Sequence, residues 1–271
     1  PNAGEVLDVF VPAGPAREIE TTLWDPATFF GELIAYNLMR ENVQIGRVSE
    51  EASGGGGRTQ AWRTSTRLAA DADRFDPDRT LVVVTTPIAD VLRRCNADSH
   101  NMYAEALLKR VAHKITGEPG SWESGASVLR MLLTEKLGPQ YAADTQIGDG
   151  SGMSRLNKVA PATLTKWMRE LMNDDKTREA FVRSLPKPGE GTLERRFRGR
   201  KLTNDVHGKS GYIRGVRCLS GLVIDRERNR TIAYSVLVNY DPRFGKYDAA
   251  ALELHEAVAV AIDQWLTRQR R

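Results

Sequence analysis

Three short segments of the sequence carry side chains whose types and spacing could do chemistry. Ser99 and Asn101 stand two residues apart at the start of an apolar, helix-periodic stretch, so a hydroxyl and a carboxamide can face one cleft. Lys209 and Ser210 lie between two glycines, ahead of a β-branched apolar run. Because glycines in a strand often mark the close approach of a ligand, Gly208–Tyr212 is interpreted as an edge strand that accepts an extended ligand.

The third segment is a glycine-rich stretch with the sequence Asp149-Gly150-Ser151-Gly152-Met153-Ser154-Arg155, which predicts a tight loop. It carries too few acidic side chains for a calcium loop, so neither a metal nor a cofactor is expected. Cys95 and Cys218 match no metal or redox spacing. Two cysteines so distant in sequence pair only if the fold brings them together, and the sequence leaves that open.

Each segment also has a purely structural explanation. Asp98, Ser99 and Asn101 are all good helix N-cap residues. A lysine in a strand is commonly an exposed edge residue, and a glycine loop is commonly a turn. The chemical interpretation therefore depends on the three segments occurring together.

The remaining sequence must position these segments. A helix is predicted from Asp25-Pro26, with its apolar face towards the core at Phe29, Phe30, Leu33, Ile34 and Leu38. Residues 46–79 predict a loop or insertion and residues 81–84 a short buried strand. Further helices are predicted over residues 88–96, 101–115, 128–137, 161–172 and 248–269, and strands over 216–224 and 231–239. Helices segregated from an antiparallel sheet define an α+β fold.

The bulk composition is that of an ordinary globular protein, with 41% hydrophobic and 27% charged residues and a net charge of +4. Two basic runs, residues 195–201 and 268–271, are interpreted as solvated segments, and no nucleic acid partner is expected. No apolar stretch approaches the roughly 18 residues of a membrane span.

A Ser-x-Asn triplet followed by a Lys-Thr/Ser-Gly strand matches the second and third active-site elements of the serine penicillin-recognising enzymes. The segments 99–109, 149–157 and 208–221 resemble the class C low-molecular-mass penicillin-binding proteins, the D-alanyl-D-alanine carboxypeptidases/endopeptidases of the DacB type. The resemblance runs from about Asp25 to the C-terminus. It implies the transpeptidase fold shared with β-lactamases, an antiparallel sheet flanked by helices.

The resemblance implies a serine peptidase that forms an acyl-enzyme on the D-Ala-D-Ala bond. Ser99 would pass a proton towards the leaving amine, and Asn101 would hydrogen-bond the substrate amide. Lys209 would attract the substrate's terminal carboxylate and bias the Ser99 hydroxyl. Ser210 would offer a hydroxyl to the same carboxylate.

The resemblance also implies roles for the strand at Gly211 and Tyr212 and for the loop at Asp149. The substrate would lie along Gly211 and Tyr212 as an added strand, and the Tyr212 backbone N–H would form half of an oxyanion hole. Asp149 and Ser151 would lie in a loop near the site. Peptidoglycan stem peptides and acylating β-lactams are the implied partners. The implied location is periplasmic or extracytoplasmic, with association at a membrane surface as a further expectation.

One element of the family's pattern is missing upstream of Ser99, where no Ser-x-x-Lys occurs. Thr163-Leu164-Thr165-Lys166 has the spacing but lies after the triplet. The nucleophile is therefore expected outside this chain. Residues 1–23 are expected to end an accessory domain or form a linker strand, and residues 24–271 to be the C-terminal portion of a transpeptidase-like domain.

Two alternatives stay open at this point. A relative that binds peptidoglycan without cleaving it would also lack the nucleophile. A class A-like β-lactamase would share the triplet and the strand, but no Glu-x-x-Leu-Asn follows the triplet to supply its deacylation base.

Overall fold

The computed structural model describes residues 26–43 and 85–269. The predictions for residues 1–23, 46–79 and 81–84 lie outside these described residues. The described elements, in chain order, are α1 (Pro26–Arg40), α2 (Ile88–Ala97), α3 (Asn101–Thr116), α4 (Trp122–Leu137), α5 (Pro139–Ala143), α6 (Pro161–Asn173), α7 (Asp175–Ser184), a 3-10 turn (Gly191–Leu193), β1 (Asp205–Ile213), β2 (Val216–Asp225), β3 (Arg230–Asn239) and α8 (Lys246–Arg268).

Residues 1–83 and 84–271 form two separate compact units, so α1 is described by itself. It begins at Pro26 as predicted. Its apolar face is exposed, however, with Phe29 at 45% and Phe30 at 61% of their accessible surface. No described element covers this face, and its packing against a core stays a prediction. Helical periodicity identifies an apolar face but does not supply the element that covers it.

Local signals set most helix ends in the second unit. α4 begins six residues earlier than predicted, because Ser121 and Ser124 form a reciprocal capping box ahead of it. It ends at Gly138, whose positive φ of 105° suits a residue without a side chain. Pro161 starts α6 at its first position, as predicted. No helix was predicted over α5 or α7, and α7 follows an N-cap at Asp174.

The three strands form an antiparallel meander in the order β1-β2-β3. The turn between β1 and β2 contains only Arg214 and Gly215, and Gly215 has a φ of 87°. Within the described residues β1 pairs with β2 alone, so its outer edge is unpaired. The prediction of an edge strand at Lys209 is confirmed for this part of the chain.

Each face of the sheet packs against helices. Leu219, Val223 and Tyr234 lie on one face in a cluster with Ala259 and Leu266 of α8. The other face places Leu222 against Met168 of α6 and Leu185. Side chains alternate along a strand, so β2 contributes to both clusters. This arrangement, an antiparallel sheet between α8 and the other helices, confirms the predicted α+β class.

Acid should destabilise the α8 side of this fold through His255, which is fully buried. Burial lowers its pKa to about 4, and the nearby Arg196 and Arg217 charges act in the same direction. At a pH between about 4 and about 6.5, His255 is therefore protonated in the unfolded chain but neutral in the folded protein. We expect stability to fall as the pH drops from about 6.5 to about 4, by about 3 kcal/mol.

Denaturant unfolding at several pH values tests this expectation. His255→Leu should flatten the profile in that window, whereas His113→Gln, an exposed control, should leave the slope unchanged. His207 contributes in the same direction because burial also lowers its pKa, so some slope should remain. An identical slope in His255→Leu and the parent protein would contradict the assignment.

Candidate active site

Two of the residues selected from the sequence meet directly. Lys209 Nζ donates a hydrogen bond to Ser99 Oγ at 2.7 Å, and a second to the backbone carbonyl of Ser210 at 2.6 Å. Ser99 lies between α2 and α3, whereas Lys209 is the fifth residue of β1. The contact therefore fixes the α2–α3 junction against the sheet.

Ser99 has a left-handed backbone, with a φ of 56°. This conformation costs a non-glycine residue about 1–2 kcal/mol and is often found at functional sites. The cap of α3 is His100, without a side-chain hydrogen bond, and Asp98 forms an ion pair with Arg94 instead. The N-cap explanation for Asp98, Ser99 and Asn101 is therefore wrong.

The surroundings of Lys209 lower the proton affinity of its amino group. Burial lowers the pKa of the Lys209 ammonium, and the Cys95 thiol nearby opposes that shift. Burial also raises the pKa of Cys95, against the effect of the Lys209 charge. A partly desolvated ammonium interacts more strongly with a nearby anion than one in bulk water.

A polar row extends behind Lys209 on the same face of the sheet. Lys209 pairs with Ser220 across β1 and β2, and Ser220 pairs with Ser235 across β2 and β3. The two serine hydroxyls lie 2.8 Å apart. Cys218 lies opposite Gly211 in the same register. Cys95 and Cys218 are both free thiols, which answers the question that the sequence left open.

The other predicted residues are neighbours of Ser99 and Lys209 in the sequence. Asn101 is the first residue of α3 and is exposed, and the ring of His100 stacks on Tyr103 at 4.5 Å between centroids. Lys209 and Ser210 are consecutive residues on the edge of β1 that is unpaired within the described residues. The substrate contacts predicted for Asn101, Ser210 and Gly211 stay predictions.

An ionic clamp holds the end of β1 that carries Tyr212. The Arg217 guanidinium lies 3.6 Å from the centroid of the Tyr212 ring, which is 57% exposed. Arg217 also forms two hydrogen bonds with Asp248 of α8, at 2.7 and 2.8 Å. Tyr240 donates to the same carboxylate. These contacts connect the Tyr212 end of β1 to the start of α8, beside the strand edge that is proposed to bind substrate.

The Asp149 loop is held together by its own side chains. Asp149 accepts hydrogen bonds from the backbone N–H of Gly152 at 2.8 Å and from Asn157 Nδ2 at 2.8 Å. Asn157 Oδ1 in turn accepts from the N–H of Gly148. Within the described residues, Asp149 thus shapes the loop.

Glu105, which the sequence reasoning missed, attaches this loop to α3. Its carboxylate accepts hydrogen bonds from the N–H of Gly150 at 2.9 Å, the N–H of Ser151 at 3.0 Å and Trp122 Nε1 at 2.9 Å. Its place one helical turn after Asn101 was the available signal, because residues four apart share a helix face. The loop is thereby fixed to the helix that Ser99 precedes.

Glu105→Gln should loosen this attachment, because an amide presents one acceptor oxygen where the carboxylate has two. We expect a loss of about 2 kcal/mol in the free energy of unfolding and faster proteolysis within residues 148–157. Glu135→Gln, at an exposed carboxylate, is the matched control. Equal melting temperatures and equal proteolysis rates for the two variants would contradict the role of Glu105.

Two Ser/Thr-x-x-Lys spacings occur in the described residues, and the structure excludes both as nucleophile sites. Thr163 is 2% exposed, and Lys166 lies over the ring of Tyr141. The sequence reasoning overlooked the second spacing, Ser184-Leu185-Pro186-Lys187. Ser184 is 2% exposed, with its hydroxyl donating to Phe181 O and accepting from Asn96. Spacing alone does not place a serine and a lysine on one accessible helix face.

Neither a metal centre nor a membrane span is found in the part of the chain that the structure describes. Among residues 26–43 and 85–269, no three His, Cys, Asp or Glu side chains are grouped so as to hold a metal ion. No helix in the same residues is long and apolar enough to cross a bilayer.

The class of protein follows from comparison with known families. Residues 57–260 match the D-Ala-D-Ala carboxypeptidase 3 (S13) family, and the chain belongs to that family. It resembles the D-alanyl-D-alanine carboxypeptidase of Actinomadura sp. strain R39, with 28% identity over 95% of this chain and 44% of the relative. It is also 28% identical to the D-alanyl-D-alanine carboxypeptidase DacB of Haemophilus influenzae, over 58% of this chain and 32% of that protein.

A solved structure supports the fold. The crystal structure of penicillin-binding protein 4 (dacB) from Haemophilus influenzae, complexed with a β-lactam, superposes with a TM-score of 0.53 at 23% identity. The match covers 65% of this chain and 42% of that protein. The fold is therefore that of the penicillin-binding proteins, as the resemblance implied. The chain spans less than half the length of these relatives.

Proposed function

We propose that this chain forms two walls of the active site of a penicillin-binding, serine-type D-Ala-D-Ala carboxypeptidase. The supporting observation is the 2.7 Å hydrogen bond from Lys209 Nζ to Ser99 Oγ, which joins the Ser-x-Asn triplet to the Lys-Ser-Gly strand. Membership of the S13 family favours a peptidase over the class A-like β-lactamase. The edge of β1 that has no partner strand among the described residues is a suitable surface for an extended peptide.

In the proposed reaction, a serine outside this chain attacks the carbonyl carbon between the two D-alanines. The carbon–nitrogen bond breaks, and Ser99 passes a proton to the departing amine of the terminal D-alanine. Water then hydrolyses the acyl-enzyme. Lys209 attracts the substrate's terminal carboxylate and keeps the Ser99 hydroxyl oriented. Ser210 donates a hydroxyl to the same carboxylate, and Asn101 bonds the substrate amide.

The remaining assignments rest on the family resemblance. The Tyr212 N–H is proposed as one oxyanion donor, with Gly211 leaving room for the substrate backbone. The loop with Asp149 and Ser151 borders the cleft. Residues 24–271 are proposed to be the C-terminal portion of the transpeptidase-like domain, preceded by the end of an accessory domain or a linker strand. Peptidoglycan stem peptides and β-lactams are the proposed ligands, and the proposed location is the periplasm or another extracytoplasmic space.

Labelling with fluorescent penicillin tests the proposal. The full-length protein should become covalently labelled, and mass spectrometry should place the label on one serine that is neither Ser184 nor Ser99. Absence of label on the full-length protein would favour a catalytically dead peptidoglycan-binding relative. Rapid turnover of the β-lactam would favour a β-lactamase. Either result would overturn the proposed activity.

A further inference from the structure

We propose that Arg217 and Asp248 are positioning residues for the backbone N–H of Tyr212. The inference rests on the proposed function, in which this N–H is an oxyanion donor. Arg217 belongs to β2 and Asp248 to α8, so both act on the reaction through Tyr212 and not by touching the substrate. The sequence alone assigned no role to either side chain.

The backbone of β1 presents alternate N–H groups to its outer edge. The N–H of Gly208 donates to the carbonyl of Pro186 at 3.0 Å, which directs it away from β2. Strand residues alternate in this respect, and the register from Asp205 to Ile213 is continuous. The N–H groups of Ser210 and Tyr212 therefore also face the outer edge. An oxyanion donor at Tyr212 needs this orientation.

Tyr212 is consequently held against β2 by its side chain and not by ladder hydrogen bonds of its own. It pairs with Arg217 in the register. An outward N–H identifies this pair as a non-hydrogen-bonded one, in which opposing side chains approach closely. The Arg217 guanidinium accordingly lies 3.6 Å from the centroid of the Tyr212 ring. Because the ring is 57% exposed, this contact restrains a side chain that is otherwise largely in solvent.

The ionic clamp fixes the Arg217 guanidinium in turn. Asp248, in the first turn of α8, accepts from its Nε at 2.7 Å and from its Nη2 at 2.8 Å. Two parallel hydrogen bonds fix the plane of a guanidinium as well as its position. The Tyr240 hydroxyl donates to the same carboxylate, and the Tyr240 N–H donates to the carbonyl of Gly215 at 2.9 Å. The β1–β2 turn, the end of β3 and the start of α8 thus hold Arg217 in one place.

The clamp stays ionised between about pH 6 and about pH 9. Hydrogen bonds from Arg217, and then from Tyr240, lower the pKa of the Asp248 carboxyl below its ordinary value. The hydrogen bond to Asp248 raises the pKa of the Arg217 guanidinium. A defect in the clamp should therefore slow acylation by the same factor throughout this range. A change at Lys209 should not, because burial lowers the pKa of that ammonium.

A second arginine–carboxylate pair on α8 provides the comparison with a purely structural role. Arg196 Nε donates to Glu256 at 2.8 Å, and Arg196 Nη2 donates to the carbonyl of Leu252 at 3.0 Å. The side chains of this pair are more buried than those of Arg217 and Asp248. Both contacts of Arg196 are with α8, so their loss should lower stability without moving the edge of β1.

The kinetics of acylation of the full-length protein by fluorescent penicillin test the inference. Arg217→Gln should reduce the rate constant at saturating penicillin by about tenfold, less than the factor of about 10² to 10³ for complete loss of an oxyanion donor. The dissociation constant of the non-covalent complex should change less than about twofold, because the lost interaction belongs to the transition state. Arg217→Lys keeps the charge without the bidentate geometry and should recover part of the rate. Asp248→Asn should give a smaller loss than Arg217→Gln, since an amide retains one acceptor oxygen.

A double variant shows whether Arg217 acts through the Tyr212 ring. Tyr212→Ala removes the ring but keeps the backbone N–H, so adding Arg217→Gln to it should slow acylation no further than the slower single variant. Arg196→Gln is the matched control. Its melting temperature should fall at least as far as that of Arg217→Gln, while its acylation rate constant stays at the parent value.

The possible failures of the two proposals can be told apart. Equal acylation rate constants for Arg217→Gln and the parent protein would overturn this inference and leave the proposed function standing. Additive losses in the double variant, an equal loss in Arg196→Gln, or a loss that varies between pH 6 and pH 9 would do the same. A full-length parent protein that penicillin does not acylate would overturn the proposed function and this inference with it.

Discussion

Lys209→Ala is expected to reduce the rate of acylation by penicillin in the full-length protein by at least about 100-fold. The substitution removes the only described donor to Ser99 Oγ, at 2.7 Å, together with the positive charge at the proposed carboxylate site. Loss of one well-placed donor from an active site commonly costs a factor of about 10² to 10³. The reduction should appear in the maximal rate of acylation as well as in the apparent affinity, because Ser99 also loses its orientation.

Two control variants separate charge from geometry. Lys209→Arg keeps the positive charge but replaces the compact ammonium by a larger, planar guanidinium. Its acylation rate should therefore lie between those of Lys209→Ala and the parent protein. Lys187→Ala, at a half-exposed lysine 3.8 Å from Asp205, should acylate like the parent protein. Because burial lowers the pKa of Lys209, acylation should decline with rising pH at a lower pH than an ordinary lysine would give. Near-normal acylation of Lys209→Ala would mean that the strand assignment is wrong.

Gly221→Ala is expected to destabilise the protein by about 3 kcal/mol. A Cβ atom on Gly221 would lie 1.9 Å from the His207 carbonyl oxygen and 2.8 Å from the Cα of Gly208. Both atoms belong to the backbone of β1, so neither can rotate away, and the strands must separate. Overpacking of this kind costs about 1–3 kcal/mol and occasionally more. Lys209 follows Gly208 directly, so the same separation should also slow acylation.

Gly245→Ala is the matched control. No atom lies within 4 Å of the added Cβ at this position, and the backbone is already helical with a φ of −54°. Its cost should stay below about 1 kcal/mol. Thermal and denaturant unfolding of both variants give the comparison. A Gly221→Ala protein as stable as Gly245→Ala would show that β1 and β2 tolerate a wider separation than the close approach indicates.

Local signals in the sequence were sufficient for elements whose ends are set by their own residues. Pro161 and Gly138 predicted a helix start and a helix end because their backbone preferences act within one turn. The strand at Lys209 and the following hairpin strands were predicted from β-branched runs and turn residues. α7 and the first turns of α4 were missed because few apolar residues mark a helix face there, although Asp174 and Ser121 cap the two helices.

Contacts between distant segments could not be read from the sequence. The role of Glu105 depends on loop N–H groups more than forty residues away, at Gly150 and Ser151. The opposite holds for Ser184-x-x-Lys187, where the spacing suggests a nucleophile motif but the serine is only 2% exposed and cannot reach a substrate. The α1 helix is a third case, because periodicity predicts an apolar face but cannot show which element covers it.

The contact between Lys209 and Ser99 shows most clearly which features the sequence determined and which depended on the tertiary structure. The sequence by itself determined the residue types, the strand on one side, the helix on the other and, through resemblance, the family. Only the tertiary structure decided that Ser99 adopts a left-handed backbone and meets the Lys209 ammonium instead of capping α3. The physical reason is that caps and periodicities are local, whereas this hydrogen bond forms only after the sheet has packed against the helices and removed the lysine from water.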